Sequence, residues 1–97
     1  MRRDDALRII GAHADELRQQ FDVRSLSLFG SVARDQARAD SDVDVLVEFE
    51  RTVSLFAFVR LRDRLSEILG QRVDLSETDA LHRRLKDRIL REAIRAA

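Results

Sequence analysis

The sequence contains no cysteine, which excludes disulfides and any thiolate metal site. A chain without thiols fits a reducing compartment. It contains no proline and only 3 glycines. No low-complexity tract or internal repeat interrupts it, so nothing in it reads as a linker. No apolar run is long enough to span a bilayer. The first residues, Met1-Arg2-Arg3-Asp4-Asp5, lead into an amphipathic pattern and lack the apolar stretch of a signal peptide. Charge of one sign is missing too: 18 Lys and Arg stand against 18 Asp and Glu, so no global field draws in nucleic acid or an anionic membrane. A chain of 97 residues suffices for one modest core. The expectation is a soluble, cytoplasmic protein with a single domain over residues 1–97.

What is present alternates between two periods. Leu7, Ile10, Ala14, Leu17 and Phe21 recur at helical spacing, with Asp4 or Asp5 as candidate caps. Leu26, Leu28 and Phe29 form a short strand-like run that ends at Gly30, and Ser31 to about residue 36 reads as a short helix. Val43, Val45, Val47 and Phe49 alternate with Asp42, Asp44, Leu46 and Glu48, the period of a strand. Leu55, Phe58, Val59, Leu61, Leu65, Ile68 and Leu69 form a second helical stripe, stopped by Gly70. Val73 and Leu75 flank Asp74 in a third strand, and Leu81, Leu85, Ile89, Ala93 and Ile94 make a last helix. The order α-β-α-β-α-β-α predicts an α/β (α+β) domain, a small mixed sheet with helices packed against it.

Three features point to chemistry. Asp42 and Asp44 are two apart on a strand, so both side chains leave one face. Carboxylates that close repel unless a cation sits between them, and an all-oxygen donor set favours Mg²⁺ or Mn²⁺ over zinc. Two solvent-facing aspartates at the start of a strand are the plain alternative. Upstream, Gly30 permits a tight turn and close backbone approach, and Ser31 opens a helix whose free N–H groups attract phosphate. An ordinary glycine turn with a serine cap is the alternative there. Asp74 adds a third carboxylate if its strand lies beside that of Asp42 and Asp44. It is then placed to bind metal or to take a proton from an attacking hydroxyl.

The stretches Leu28-Phe29-Gly30-Ser31-Val32-Ala33-Arg34 and Ser41-Asp42-Val43-Asp44-Val45-Leu46-Val47 resemble the signature of the DNA polymerase β-type nucleotidyltransferase superfamily. Within it the chain looks most like the minimal nucleotidyltransferase (MNT) group, often antitoxins paired with HEPN-domain toxins. The later Val73-Asp74-Leu75 and Ile89-Leu90-Arg91-Glu92-Ala93 are similar to the family as well, so the resemblance covers nearly the whole chain. It implies the polymerase β-like fold, with Gly30 and Ser31 holding the triphosphate of ATP. Asp42 and Asp44 would bind the pair of Mg²⁺ ions expected of a two-metal site. Asp74 would serve as metal ligand or base. Arg34 falls where the family often has an arginine that reaches a phosphate, although a helix-surface ion pair is an equally good reading. Asp35 stands where the family commonly has glycine, and its charge would oppose a triphosphate if it pointed inward.

The implied activity is Mg²⁺-dependent transfer of AMP from ATP to a tyrosine of a partner HEPN ribonuclease toxin. Without a second domain to shape a small-molecule pocket, a protein acceptor that brings its own surface is favoured. A non-catalytic antitoxin and a small-molecule nucleotidyltransferase completed by a homo-oligomer stay open as alternatives. His13 and His82 read as surface residues, since nothing pairs with them at metal-ligand spacing. The phenylalanines read as core. The basic run through Arg83, Arg84, Lys86, Arg88, Arg91 and Arg95 reads as the wet side of the last helix, not as a sequence-specific nucleic-acid surface.

Overall fold

The computed structural model describes residues 1–97. The elements are α1 (Arg3–Ala12), α2 (Ala14–Phe21), β1 (Val23–Phe29), α3 (Gly30–Ala33), β2 (Val43–Phe49), α4 (Leu55–Leu69) and β3 (Val73–Glu77). A 3₁₀ turn (Thr78–Ala80), α5 (Arg83–Glu92) and β4 (Ile94–Arg95) complete the order. The four strands form one mixed sheet in the order β3-β2-β1-β4. β1 runs antiparallel to β2 and β4, while β2 and β3 are parallel. A parallel pair needs a crossover, and α4 supplies it.

Strand alternation sorts the side chains. Leu26, Leu28, Val43, Val45, Val47, Val73 and Leu75 share the inner face and pack with Ala6, Ile10, Leu17, Leu61, Leu65 and Leu69 from α1, α2 and α4 in one core. The molecule measures 32 × 31 × 19 Å. The short dimension holds one sheet and one layer of helices, each about 10 Å thick. The outer face carries the polar side of the alternation, apart from Leu46, which is buried there outside the main core.

α4 ends at Gly70, as its sequence predicts, with φ 66°. At its start Ser54 accepts from the Ala57 N–H at 3.1 Å. The N-terminal helical stripe, in contrast, makes two helices. At the break the His13 N–H bonds back to the Ile10 carbonyl, and the His13 ring reaches the Ile9 carbonyl through Nδ1 at 2.8 Å. The ring thus takes the acceptor that the backbone would have used, and His13 is half-buried and not a solvated surface residue. Asp4 and Asp5 lie within the first turn of α1 and do not cap it. The Arg3 N–H there is taken by Asp35 Oδ1 at 3.0 Å. α2 is tied to α4 by a paired contact in which the Arg64 guanidinium donates to both Glu16 carboxylate oxygens, at 2.7 and 2.8 Å.

The last helix also differs from its pattern. It stops at Glu92, Ala93 turns extended, and Ile94 lies in β4 against β1. No residue of α5 is buried, and Leu85 is half exposed. Leu55 and Phe56, on the first turn of α4, project into solvent at 76% and 82% exposure, so Leu55 leaves the core stripe and Phe56 is not a core phenylalanine. α3 is a single turn and ends before residue 36.

Candidate active site

β1 arrives extended at Phe29, and Gly30 then takes φ 70°, a left-handed conformation that β-carbons disfavour. The chain turns into α3 with Ser31 in its only turn. One turn is too short to build a macrodipole, so any pull on a phosphate there rests on backbone N–H groups and the Ser31 hydroxyl. The segment beyond is held by local bonds. Ser41 Oγ accepts from the Arg38 N–H at 2.9 Å, and the Ser41 N–H donates to the Arg38 carbonyl at 3.1 Å. That turn delivers the chain to Asp42, one residue before β2 begins.

Register then brings the carboxylates together. Asp44 stands opposite Phe29 on β1 and directly beside Asp74 on β3. Strand parity puts Asp42, Asp44 and Asp74 on the outer face, opposite Val43, Val45, Val73 and Leu75, which are buried. Gly30 is in direct contact with this group: a β-carbon there would run into Asp44 Oδ2. The Gly30 turn and the acidic strand are thus one packed unit, and glycine is the residue that lets them meet.

The Asp44 carboxyl is pushed above the usual aspartate range, first by burial and then by the charges of Asp74 and Asp42, with Arg34 opposing. Asp42 is not drawn into a cage with the other two. Its Oδ1 accepts from Arg72 Nε at 2.9 Å. No three acidic or imidazole groups close into a metal cluster by themselves. Mg²⁺ does not require such a cage, since it keeps several waters and is held by one or two carboxylates together with substrate phosphates. An all-oxygen set with a poorly compensated Asp44 at its centre fits that ion.

A raised pKa has a stability consequence with a definite sign. Because folded Asp44 holds its proton more tightly than the unfolded chain, its contribution to stability is present at low pH and is lost as pH rises through the folded value. At pH 7 the ionised group therefore works against the fold. Asp44→Asn should raise the thermal midpoint of the metal-free protein at pH 7, and the gain should vanish in acid. A midpoint lowered at pH 7 would show that Asp44 is stabilised there by contacts that outweigh its burial.

Arg34 makes the surface ion pair. Its Nη1 lies 3.4 Å from Glu92 Oε2, and its Nε donates to Gln36 Oε1 at 3.3 Å. Its charge also reaches Asp44, so it stands at the border of the site. Asp35 does not point at the turn. It sits at φ 58°, which explains why glycine suits this position, and its carboxylate is engaged with the start of α1. Arg72 is the site residue that sequence reasoning missed. The signal was its spacing two residues before Asp74, but its partner depends on register between strands.

Comparison with known proteins gives the chain a family. Residues 10–96 match the family model described as nucleotidyltransferase domain. The protein adenylyltransferase MntA of Thermococcus cleftensis is 44% identical over 86 residues, covering 89% of this chain and 87% of that protein. A Methanocaldococcus jannaschii protein provisionally assigned the same activity is 47% identical over 72 residues, 74% of this chain and 77% of its own. Among solved structures, one provisionally described as a minimal nucleotidyltransferase superposes with a TM-score of 0.82 at 39% identity, covering 97% of this chain and 95% of that one. The MNT antitoxin complexed with a tri-AMPylated HEPN toxin of Shewanella oneidensis gives a TM-score of 0.67 at 18% identity, over 94% and 71% of the two chains. At that identity the likeness is one of fold.

Proposed function

The chain belongs to the nucleotidyltransferase domain family, and from that membership we propose that it transfers AMP from ATP to a tyrosine hydroxyl of a partner HEPN ribonuclease toxin, acting in the cytoplasm as its antitoxin. The observation that carries this reading is the pairing of Asp44 with Asp74 across β2 and β3, locked against the Gly30 turn. The 44% identity to a protein adenylyltransferase supports AMP as the transferred group and a protein as the acceptor. The open outer face supports the same acceptor, because these residues build no wall around a small molecule.

Asp42, Asp44 and Asp74 would hold Mg²⁺, and Gly30 and Ser31 would hold the triphosphate through backbone N–H groups and the Ser31 hydroxyl. When bound, Mg²⁺ supplies positive charge to the phosphate oxygens and to the departing pyrophosphate. The acceptor oxygen attacks the α-phosphorus, and a new P–O bond forms. The bond from that phosphorus to the α–β bridging oxygen breaks, and pyrophosphate leaves with the electron pair. The hydroxyl proton passes to a carboxylate, for which Asp74 is the exposed member of the set. Asp44, anchored between the Gly30 turn and the core, fixes the distance between the phosphate turn and the metal ligands.

The test is persistence. Toxin treated with this protein and ATP–Mg²⁺ should stay inactive after the two are separated, and its mass should rise in units of AMP. A toxin that recovers full activity on separation, with no mass change, would identify a binding-only antitoxin.

A further inference from the structure

Resting on the reading of Asp42 as a metal ligand, we propose that Arg72 is the cation that holds Asp42 in the metal-free protein, and that it gives up this carboxylate to the metal and turns to the triphosphate. The juxtaposition is built into the backbone. The Val43 N–H donates to the Arg72 carbonyl at 2.9 Å, which carries the β2–β3 ladder one step beyond the Val43–Val73 pair. Arg72 therefore stands beside Asp42 as Asp74 stands beside Asp44. The outer face at this end carries two rows of charge, a balanced one at the rim and an acidic one further in.

The rim contact is made to be exchanged. The Arg72 side chain is 81% exposed, and its one polar side-chain contact is the 2.9 Å bond to Asp42. Exposed ion pairs are weak, so a divalent ion attracted by several carboxylates displaces the guanidinium readily. A guanidinium suits phosphate as well as carboxylate, because its planar fork matches the oxygens of both. Arg34 pairs with Glu92 and borders the other side of the site, while Arg72 is the cation at the β2–β3 rim.

The experiment measures Mn²⁺ binding by electron paramagnetic resonance without nucleotide, and binding of a non-hydrolysable ATP analogue with Mg²⁺. Wild type, Arg72→Met, Arg72→Lys and Asp42→Asn are compared. Arg72→Met should bind Mn²⁺ roughly three-fold more tightly, since a competing cation is gone. It should bind the analogue about ten-fold more weakly, with part of that loss restored in Arg72→Lys. A purely structural ion pair would move the thermal midpoint and neither affinity. Mn²⁺ affinity that is unchanged or weaker in Arg72→Met overturns the inference, as does unchanged analogue affinity. If Asp42→Asn loses Mn²⁺ while Arg72→Met is unaltered, the metal reading stands and the role of Arg72 falls. If Asp42→Asn binds Mn²⁺ like wild type, both fall.

Discussion

Replacing Asp42 and Asp44 together by asparagine is expected to lower nucleotide transfer by about a thousandfold or more, because metal-borne charge stabilisation amounts to several kcal/mol and each 1.4 kcal/mol is tenfold. The domain should remain folded. Asparagine at 44 relieves a carboxylate that burial and two neighbouring aspartates make costly. Asparagine at 42 gives up the contact with Arg72, an exposed pair worth at most about 1 kcal/mol. The two changes oppose one another, so thermal unfolding should move little while transfer of label from ATP disappears. A well-folded double variant with normal transfer would remove these residues from the metal site.

The second large effect is expected at Gly30. Gly30→Val should abolish ATP use, and Ser31→Ala should reduce it about tenfold, the loss of one hydrogen bond to a charged group. Two costs combine at Gly30. The φ of 70° is strained for any β-branched residue. The new β-carbon also runs into Asp44 Oδ2, so the acidic strand is displaced together with the turn. Gly30→Ala carries the same collision with less bulk and should fall between the other two variants. Affinity for a non-hydrolysable ATP analogue, measured beside circular dichroism, checks the ranking. Normal affinity in folded Gly30→Val would place the phosphate elsewhere.

Local periodicity made most of this site legible. The alternation from Asp42 to Phe49 marked β2 and its outward carboxylates, and Gly30-Ser31 marked the turn, because each feature is written in a few adjacent residues. What depended on partners was not legible. Arg72 looked like any charged residue beside a strand until the parallel register set it next to Asp42. Asp35 looked like a threat to phosphate binding until α1 offered it a free N–H. The break at His13 needs no proline: it follows Gly11 by two residues, and the His13 ring takes the Ile9 carbonyl that a backbone bond would have used. Ile94 continued a helical spacing but lies in β4, since the edge of β1 offers backbone partners that a helix period does not reveal. Leu55 and Phe56 fitted an apolar stripe by type, yet they fall on a turn of α4 that nothing in the chain covers.

The sheet is finished by a distant part of the chain. The Leu26 carbonyl accepts from the N–H groups of Ala96 and Ala97, at 2.8 and 3.1 Å, and its own N–H donates to the Ala97 carbonyl at 3.1 Å. β1 pairs on one side with β2, the next strand in sequence, but its other edge is completed only by residues 94–97. During synthesis the nascent domain therefore displays a bare strand, rich in apolar residues, while α4, β3 and α5 are still being made. Unpaired edges of this kind invite pairing between chains. Slowing elongation across α5 should thus lengthen the period in which newly made chains aggregate, and speeding it should raise the soluble yield with no change in the finished protein.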